Sequence, residues 1–188
     1  MDCTKCKLKG CRKGQPCVDA SAAYLDTYAN DENRKYIKAA SELVDNGRAG
    51  TLNRLEEIAA YVKLQGYGKL GVAYCYGLEK YAVLLRKYFD QLGIQTVFVS
   101  CTVDGVTETQ IDPDKTSTTV SCNPIGQAAV LNNAGVELTL LMGLCLGHDI
   151  LLQKHLNMDF TTFVVKDRVF DHNPLRALSA LSKTDDGV

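Results

Sequence analysis

The chain has 188 residues and a mass of 20.6 kDa, enough for one domain with a substantial core and too short for two full ones. Lys and Arg number 21 against 22 Asp and Glu, a formal charge of −1 without the basic excess that phosphate-backbone binding requires, so no nucleic-acid partner is expected. Hydrophobic residues make up 46%, yet no apolar run reaches the ~18 residues needed to span a bilayer, so no membrane partner is expected either.

The opening Met1-Asp2-Cys3-Thr4-Lys5-Cys6 has no apolar stretch of signal type, and a cytoplasmic location is expected. In a reducing compartment the eight Cys point to metal ligands, catalytic thiols or small buried side chains, not to a disulfide framework. The first 17 residues hold four of them, with five Lys or Arg and almost nothing apolar, so this segment needs a source of order other than a hydrophobic core. Residues 18–65 then read as helices over 20–29, about 33–46 and 52–64. In the third, Leu52, Leu55, Ile58, Ala59 and Val62 recur at three- and four-residue steps and make one apolar face.

From Leu70 short apolar runs alternate with helices. Strands are predicted at 70–74, 94–100, 136–142 and 160–165, and helices at 78–92, 124–133, 148–156 and from the Asn173-Pro174 cap to about 181. Asn123-Pro124 opens its helix with an N-cap and a proline at the first helical position. The alternation predicts an α/β fold of Rossmann-like class: a mainly parallel sheet of four to five strands with helices on both faces, preceded by a Cys-rich metal knuckle and helices. The expected organisation is a metal- or cluster-binding segment at 1–18 and one α/β domain at 19–188, with a helical lead-in at 19–66 and the sheet at 67–182. Residues 102–121 are polar and too long for a plain connection, so they form an insertion, a hairpin or a lid. The tail after Ser182 is expected to fray.

Cys3, Cys6, Cys11 and Cys17 give the spacing C-x2-C-x4-C-x5-C, a set of soft thiolates that suits tetrahedral zinc or an iron–sulfur cluster. Either would leave a net charge near −2, which Lys5, Lys7, Lys9, Arg12 and Lys13 offset locally. Structural zinc sites usually pair two close-spaced knuckles across a dozen or more residues, whereas here one CxxC is followed by widening gaps. The spacing favours a [4Fe–4S] cluster, with zinc as the alternative.

The other four Cys stand at matching places. Cys75, Cys101 and Cys145 follow predicted strands and Cys122 precedes the Asn123-Pro124 helix, so all four belong to the carboxyl rim, where open α/β folds place their ligands. Three precede helix starts, which favour a thiolate or another anion. Convergence on a second cluster, a metal or a substrate is weighed against four unrelated buried thiols. The same rim carries His148 and Asp149 beside Cys145, and Lys166, Asp167, Arg168 and His172 after the fourth strand. His148 is a candidate ligand or general base for a nucleophilic Cys122 or Cys145, and the two cations are candidate anion binders. No GxGxxG or P-loop spacing occurs, so a nucleotide cofactor is not supported.

The stretches AYCYGL at 73–78, SCNPIGQA at 121–128, GLCLGHD at 143–149 and VVKDRVFDHNP at 164–174, behind the four-Cys opening, resemble the uncharacterised prokaryotic metal-binding proteins called domain of unknown function 1847. The resemblance covers nearly the whole chain. It places Cys75, Cys101, Cys122, Cys145, His148, Asp149, Lys166, Asp167, Arg168, His172 and Asn173 on the family pattern, and implies metal binding without naming a reaction. Separately, MDCTKC with its later C-x5-C is similar to the N-terminal cubane segment of hybrid-cluster proteins and carbon monoxide dehydrogenases, with a shorter middle gap. That likeness covers under a tenth of the chain and leans the metal toward iron–sulfur.

Three functions follow as expectations. The first is a metal-binding, iron–sulfur protein with a redox or metal/cofactor-handling role, serving a redox partner or a small-molecule or metal ligand. The second is a zinc-stabilised, non-catalytic α/β binding module. The third is a thiol-dependent enzyme with a rim Cys nucleophile.

Overall fold

A computed structural model describes residues 2–18 and 21–181, and its contacts divide the chain into two units, Met1–Thr51 and Leu52–Val188. The predicted helix start at Ala20 and the tail expected to fray after Ser182 lie outside the described residues.

In the first unit, 3-10 turns at Cys3–Lys5 and Gly10–Lys13 precede helices α1 (Ser21–Tyr28) and α2 (Asp31–Val44). Asn30 begins α2 by accepting a hydrogen bond from the Glu32 N–H at 2.8 Å. The helix buries Ala39 and Leu43, four residues apart and therefore on one face.

The second unit begins with α3 (Arg54–Gln65). Its start is set by Asn53, whose side chain accepts from Leu55 and Glu56 N–H while Glu56 reaches back to the Asn53 N–H at 2.9 Å, a reciprocal capping box. There follow β1 (Lys69–Tyr74), α4 (Glu79–Gln91), β2 (Gln95–Ser100), α5 (Glu108–Ile111), α6 (Pro124–Asn133), β3 (Leu138–Met142), α7 (Leu146–His155), β4 (Asp159–Val164) and α8 (Leu175–Leu181). The sheet has four strands in the order β2-β1-β3-β4, all parallel, so the α/β architecture and its parallel sheet are as the alternation predicts.

Alternate strand residues feed two cores. Leu70, Val72, Leu138, Leu140 and Met142 pack with Ile58 and Val62 of α3 and with Leu85 and Phe89 of α4. Ala73, Val99 and Leu141 point the other way, against Ala128 and Leu131 of α6 and Leu152 of α7. Helices thus cover both faces. The insertion at 102–121 holds a 3-10 turn and α5, and its base is closed by the antiparallel bridge Thr107–Val120, with Glu108 N–H donating to Thr119 and Ser121 N–H donating to Val106. Helix α7 starts two residues before the predicted 148 because Cys145, with extended backbone, is its N-cap; His148 therefore falls inside the first turn. Among the described residues no helix is long and apolar enough to cross a membrane.

Candidate functional site

The N-terminal cysteines sit on a chain that bends back twice. The Asp2 carboxylate accepts from the Thr4 N–H at 3.0 Å and from its hydroxyl at 2.6 Å, bonds that hold its pKa below the usual carboxylate value. Lys9 adopts a left-handed backbone, φ 48°, and its ammonium donates to the Cys3 carbonyl. Gly10 leaves room for Gln15, whose Oε1 would lie 2.5 Å from an added Cβ, and the Gln15 N–H donates to the Gly10 carbonyl at 3.1 Å. Through these turns Cys3, Cys6, Cys11 and Cys17 line one cavity of about 210 Å³ with Lys9 beside them, and all four thiols are exposed.

The second set is placed by the sheet. Strands β1 and β3 are neighbours whose following helices, α4 and α7, leave toward opposite faces, the arrangement that opens a crevice at the carboxyl ends. Backbone bonds continue the ladder past the strand ends: Cys75 N–H donates to Met142 at 3.0 Å, Cys101 N–H to Tyr74 at 2.8 Å and Asn123 N–H to Cys101 at 2.7 Å. The thiols are thereby fixed at the rim. Cys75 and Cys101 continue the alternation of Ala73 and Val99 and belong to the core under α6 and α7.

Two pairings result. Cys101 Sγ lies 3.6 Å from Cys122 Sγ and accepts the Tyr76 N–H at 3.4 Å. Burial, reinforced by the nearby Cys122 and Cys75, pushes the Cys101 thiol up to about 12 despite that N–H. Cys75 has the opposite fate. Burial opposes its ionisation, but the Lys166 ammonium 2.8 Å away and the Gly77 N–H outweigh burial and hold the thiol below its ordinary value. The partner agrees: burial alone would lower the Lys166 pKa, and Cys75 with Cys145 raises it. Lys166 Nζ also stands 3.6 Å from Cys145, and Arg168 Nη2 stands 3.8 Å from the same sulfur. A cavity of about 200 Å³ is lined by Cys75, Cys122, Cys145, Lys166, Arg168 and His172.

The remaining predicted residues divide. Asp167 and His172 shape the loop that presents the two cations: Asp167 Oδ1 accepts from Val169 and Phe170 N–H, both at 3.0 Å, and His172 Nδ1 accepts from the Asp167 N–H at 3.1 Å. His148 is half-buried, and among the described residues it makes no hydrogen bond to a thiol; Asp149 beside it is raised by burial. Asn173 caps the way into α8, its carbonyl accepting from Arg176 N–H at 3.1 Å. Sequence reasoning missed the Tyr76 and Gly77 amides and also Gln127, a buried residue of α6 whose Nε2 donates to the Val99 carbonyl at 2.8 Å and to Tyr74 at 3.3 Å, tying the ends of β2 and β1 together. Its signal was one amide in the otherwise apolar run of 124–131. Among the described residues no three His, Cys, Asp or Glu side chains are arranged to hold a single metal ion.

The profile of a family described as protein of unknown function (DUF1847) matches residues 13–163. The chain belongs to the DUF1847 family. A relative, an uncharacterized protein of Methanocaldococcus jannaschii, is 38% identical over 182 residues, covering 95% of this chain and 93% of that protein. No solved structure matches. The DUF1847 match spans Cys17 and all four rim cysteines, whereas Cys3, Cys6, Cys11, Lys166 and Arg168 lie outside it.

Proposed function

We propose that this chain is an iron–sulfur protein of redox or cofactor-handling type, in which Cys3, Cys6, Cys11 and Cys17 hold one [4Fe–4S] cluster and the rim of the sheet binds a small ligand through its thiols and cations. The observation that carries the reading is the single cavity of about 210 Å³ lined by the four N-terminal thiols. The donor set fits the group. Four soft thiolates are the ligands of a cubane, the cavity has room for the body of a cluster, and Lys9 supplies a cation against its excess negative charge. A cluster would supply one-electron chemistry; the chain's part is to fix the four thiols, by the turns at Lys9 and Gly14, and to offset their charge.

At the rim the ammonium of Lys166 stands between Cys75 and Cys145, in hydrogen-bonding reach of both sulfurs, which favours a thiol-and-cation site for a small molecule over a second metal there. Iron, zinc and acid-labile sulfide, counted per chain on anaerobically purified protein beside its visible spectrum, test the proposal. About four irons with sulfide and a broad band near 400 nm, both lost in Cys6→Ser and Cys11→Ser, are expected. About eight irons would overturn the rim reading in favour of a second cluster. One zinc without iron would overturn the cluster and leave a zinc-braced module.

A further inference from the structure

We propose that Cys75 is the nucleophile of the rim cavity, paired with Lys166 as its charge partner and proton donor, and that its substrate is a small carbonyl compound bearing a carboxylate. The inference concerns the rim alone and stands whether or not the N-terminal site carries a cluster.

Three observations carry it. The first is the contact itself: of the two thiols that Lys166 reaches, Cys75 lies at 2.8 Å and Cys145 at 3.6 Å. The second is the backbone around the sulfurs. Cys75 precedes the 3-10 turn Tyr76–Leu78 that runs into α4, so the chain there has free amides; the Tyr76 N–H goes to Cys101, and the Gly77 N–H assists Cys75. An anion at this sulfur is met by an ammonium and an amide together. The third is the wall of the cavity. At about 200 Å³ it suits a ligand of a few heavy atoms, and among the described residues its wall contains Lys166 and Arg168 but no carboxylate. Cys75 offsets Lys166, and Arg168 remains to take a carboxylate through its planar fork of donors.

The other thiols are less suited. Cys101, buried like Cys75, does not line the cavity and is kept protonated, with sulfurs and no ammonium beside it. Cys122 has the Cys101 sulfur as its hydrogen-bond partner, and Cys145 is reached by Lys166 and Arg168 only at 3.6 and 3.8 Å. The His148 base expected from sequence is engaged with neither.

The step needs no oxidant and no second reactant. Cys75 Sγ attacks the carbonyl carbon and forms a C–S bond while the π pair of the C=O moves onto oxygen. The Lys166 ammonium passes a proton to that oxygen, which leaves a hemithioacetal and a neutral amine.

The test is competitive alkylation of the full chain at pH 7, anaerobically, with iodoacetate or iodoacetamide and peptide mass mapping of every Cys. The probe forms the C–S bond as iodide departs with its electron pair. Cys75 should be the first of the four rim thiols to react, about tenfold faster than N-acetylcysteine, and should favour iodoacetate over iodoacetamide relative to that reference. Lys166→Met should bring its rate to the reference or below, and Lys166→Arg should keep part of the acceleration. Arg168→Met should remove the preference for the anionic reagent. Glyoxylate, a two-carbon aldehyde acid, should slow the labelling of Cys75 reversibly. First reaction at Cys122 or Cys145, or a Cys75 no faster than the reference in the folded wild-type protein, overturns the nucleophile, and this ranking needs no variant to fold. No protection by glyoxylate overturns the substrate class. Iron and sulfide counts on the same sample report the N-terminal cluster separately.

Discussion

Cys75 and Cys101 end neighbouring strands, are both buried and belong to the same core, yet their proton affinities diverge. One receives an ammonium at 2.8 Å; the other receives a single amide at 3.4 Å and faces other sulfurs. Linkage turns this difference into opposite pH dependences. Cys101 is raised in the folded state, so an unfolded chain loses that proton first as pH rises. Its contribution is whole below the ordinary thiol value of 9.0 and drains away between there and about 12. Cys75 is lowered, so its contribution is present above the ordinary thiol value and is lost as pH falls through the lowered one. Urea unfolding of wild type and single variants from about pH 7 to about pH 11 checks the signs. Cys101→Ala should cost about 1–2 kcal/mol at neutral pH, through lost packing and an orphaned Tyr76 amide, but should fall off less steeply in alkali. Cys75→Ala should lose packing at every pH and a further amount that grows toward alkali. Parallel curves for the two variants would mean that both thiols sit in equivalent surroundings.

Elements were legible wherever one physical signal set them. Short apolar runs located the four strands and the helices α4, α6 and α7 between them, and Asn123-Pro124 marked the start of α6 to the residue, while α5 fell inside the insertion and was not read as a helix. The start of α7 was not legible because Cys145 caps it without a side-chain bond. That Cys75, Cys101 and Cys145 follow strands at the carboxyl edge was readable, since parallel strands bring all their carboxyl ends to one edge. Which sulfur meets which cation was not. The Cys75–Lys166 pair spans 91 residues and depends on a loop with left-handed residues at Asp171 and His172, a geometry no local pattern announces. The contact of α6 with the sheet makes a sharper test of element packing. A Cβ on Gly71 of β1 would lie 2.8 Å from Thr139 Oγ1, 2.9 Å from Leu131 Cδ2 and 3.0 Å from Val136 Cγ2. Gly71→Ala should therefore overpack the face under α6 and destabilise the protein by about 1–3 kcal/mol, read as a lower urea midpoint with unchanged slope. An unchanged midpoint would show that α6 can shift without cost.

Across the whole molecule two different sources of order operate. The unit Leu52–Val188 has sheet cores on both faces, in which Leu70, Leu131, Leu140 and Leu152 are fully enclosed. The described segment 2–18 encloses no side chain at all: its residues are exposed or half-buried, and Leu8 is 90% exposed. Five cations there face the single carboxylate of Asp2, so the segment is self-repelling unless negative charge is added. Four thiolates around a metal group would supply that charge together with the cross-links that hydrophobic burial does not provide, and the binding free energy would then be folding free energy for this segment. Limited trypsinolysis with mass mapping is the appropriate measurement, because Lys5, Lys7, Lys9, Arg12 and Lys13 are themselves the cleavage sites. In anaerobically purified protein these bonds should be cut slowly. After treatment with a chelator under reducing conditions they should be cut about tenfold faster or more, while cleavage at Lys69 and Arg86, on β1 and α4, keeps its rate. Equal cleavage of the N-terminal sites before and after this treatment would mean that the turns of this segment hold without any group bound to its cysteines.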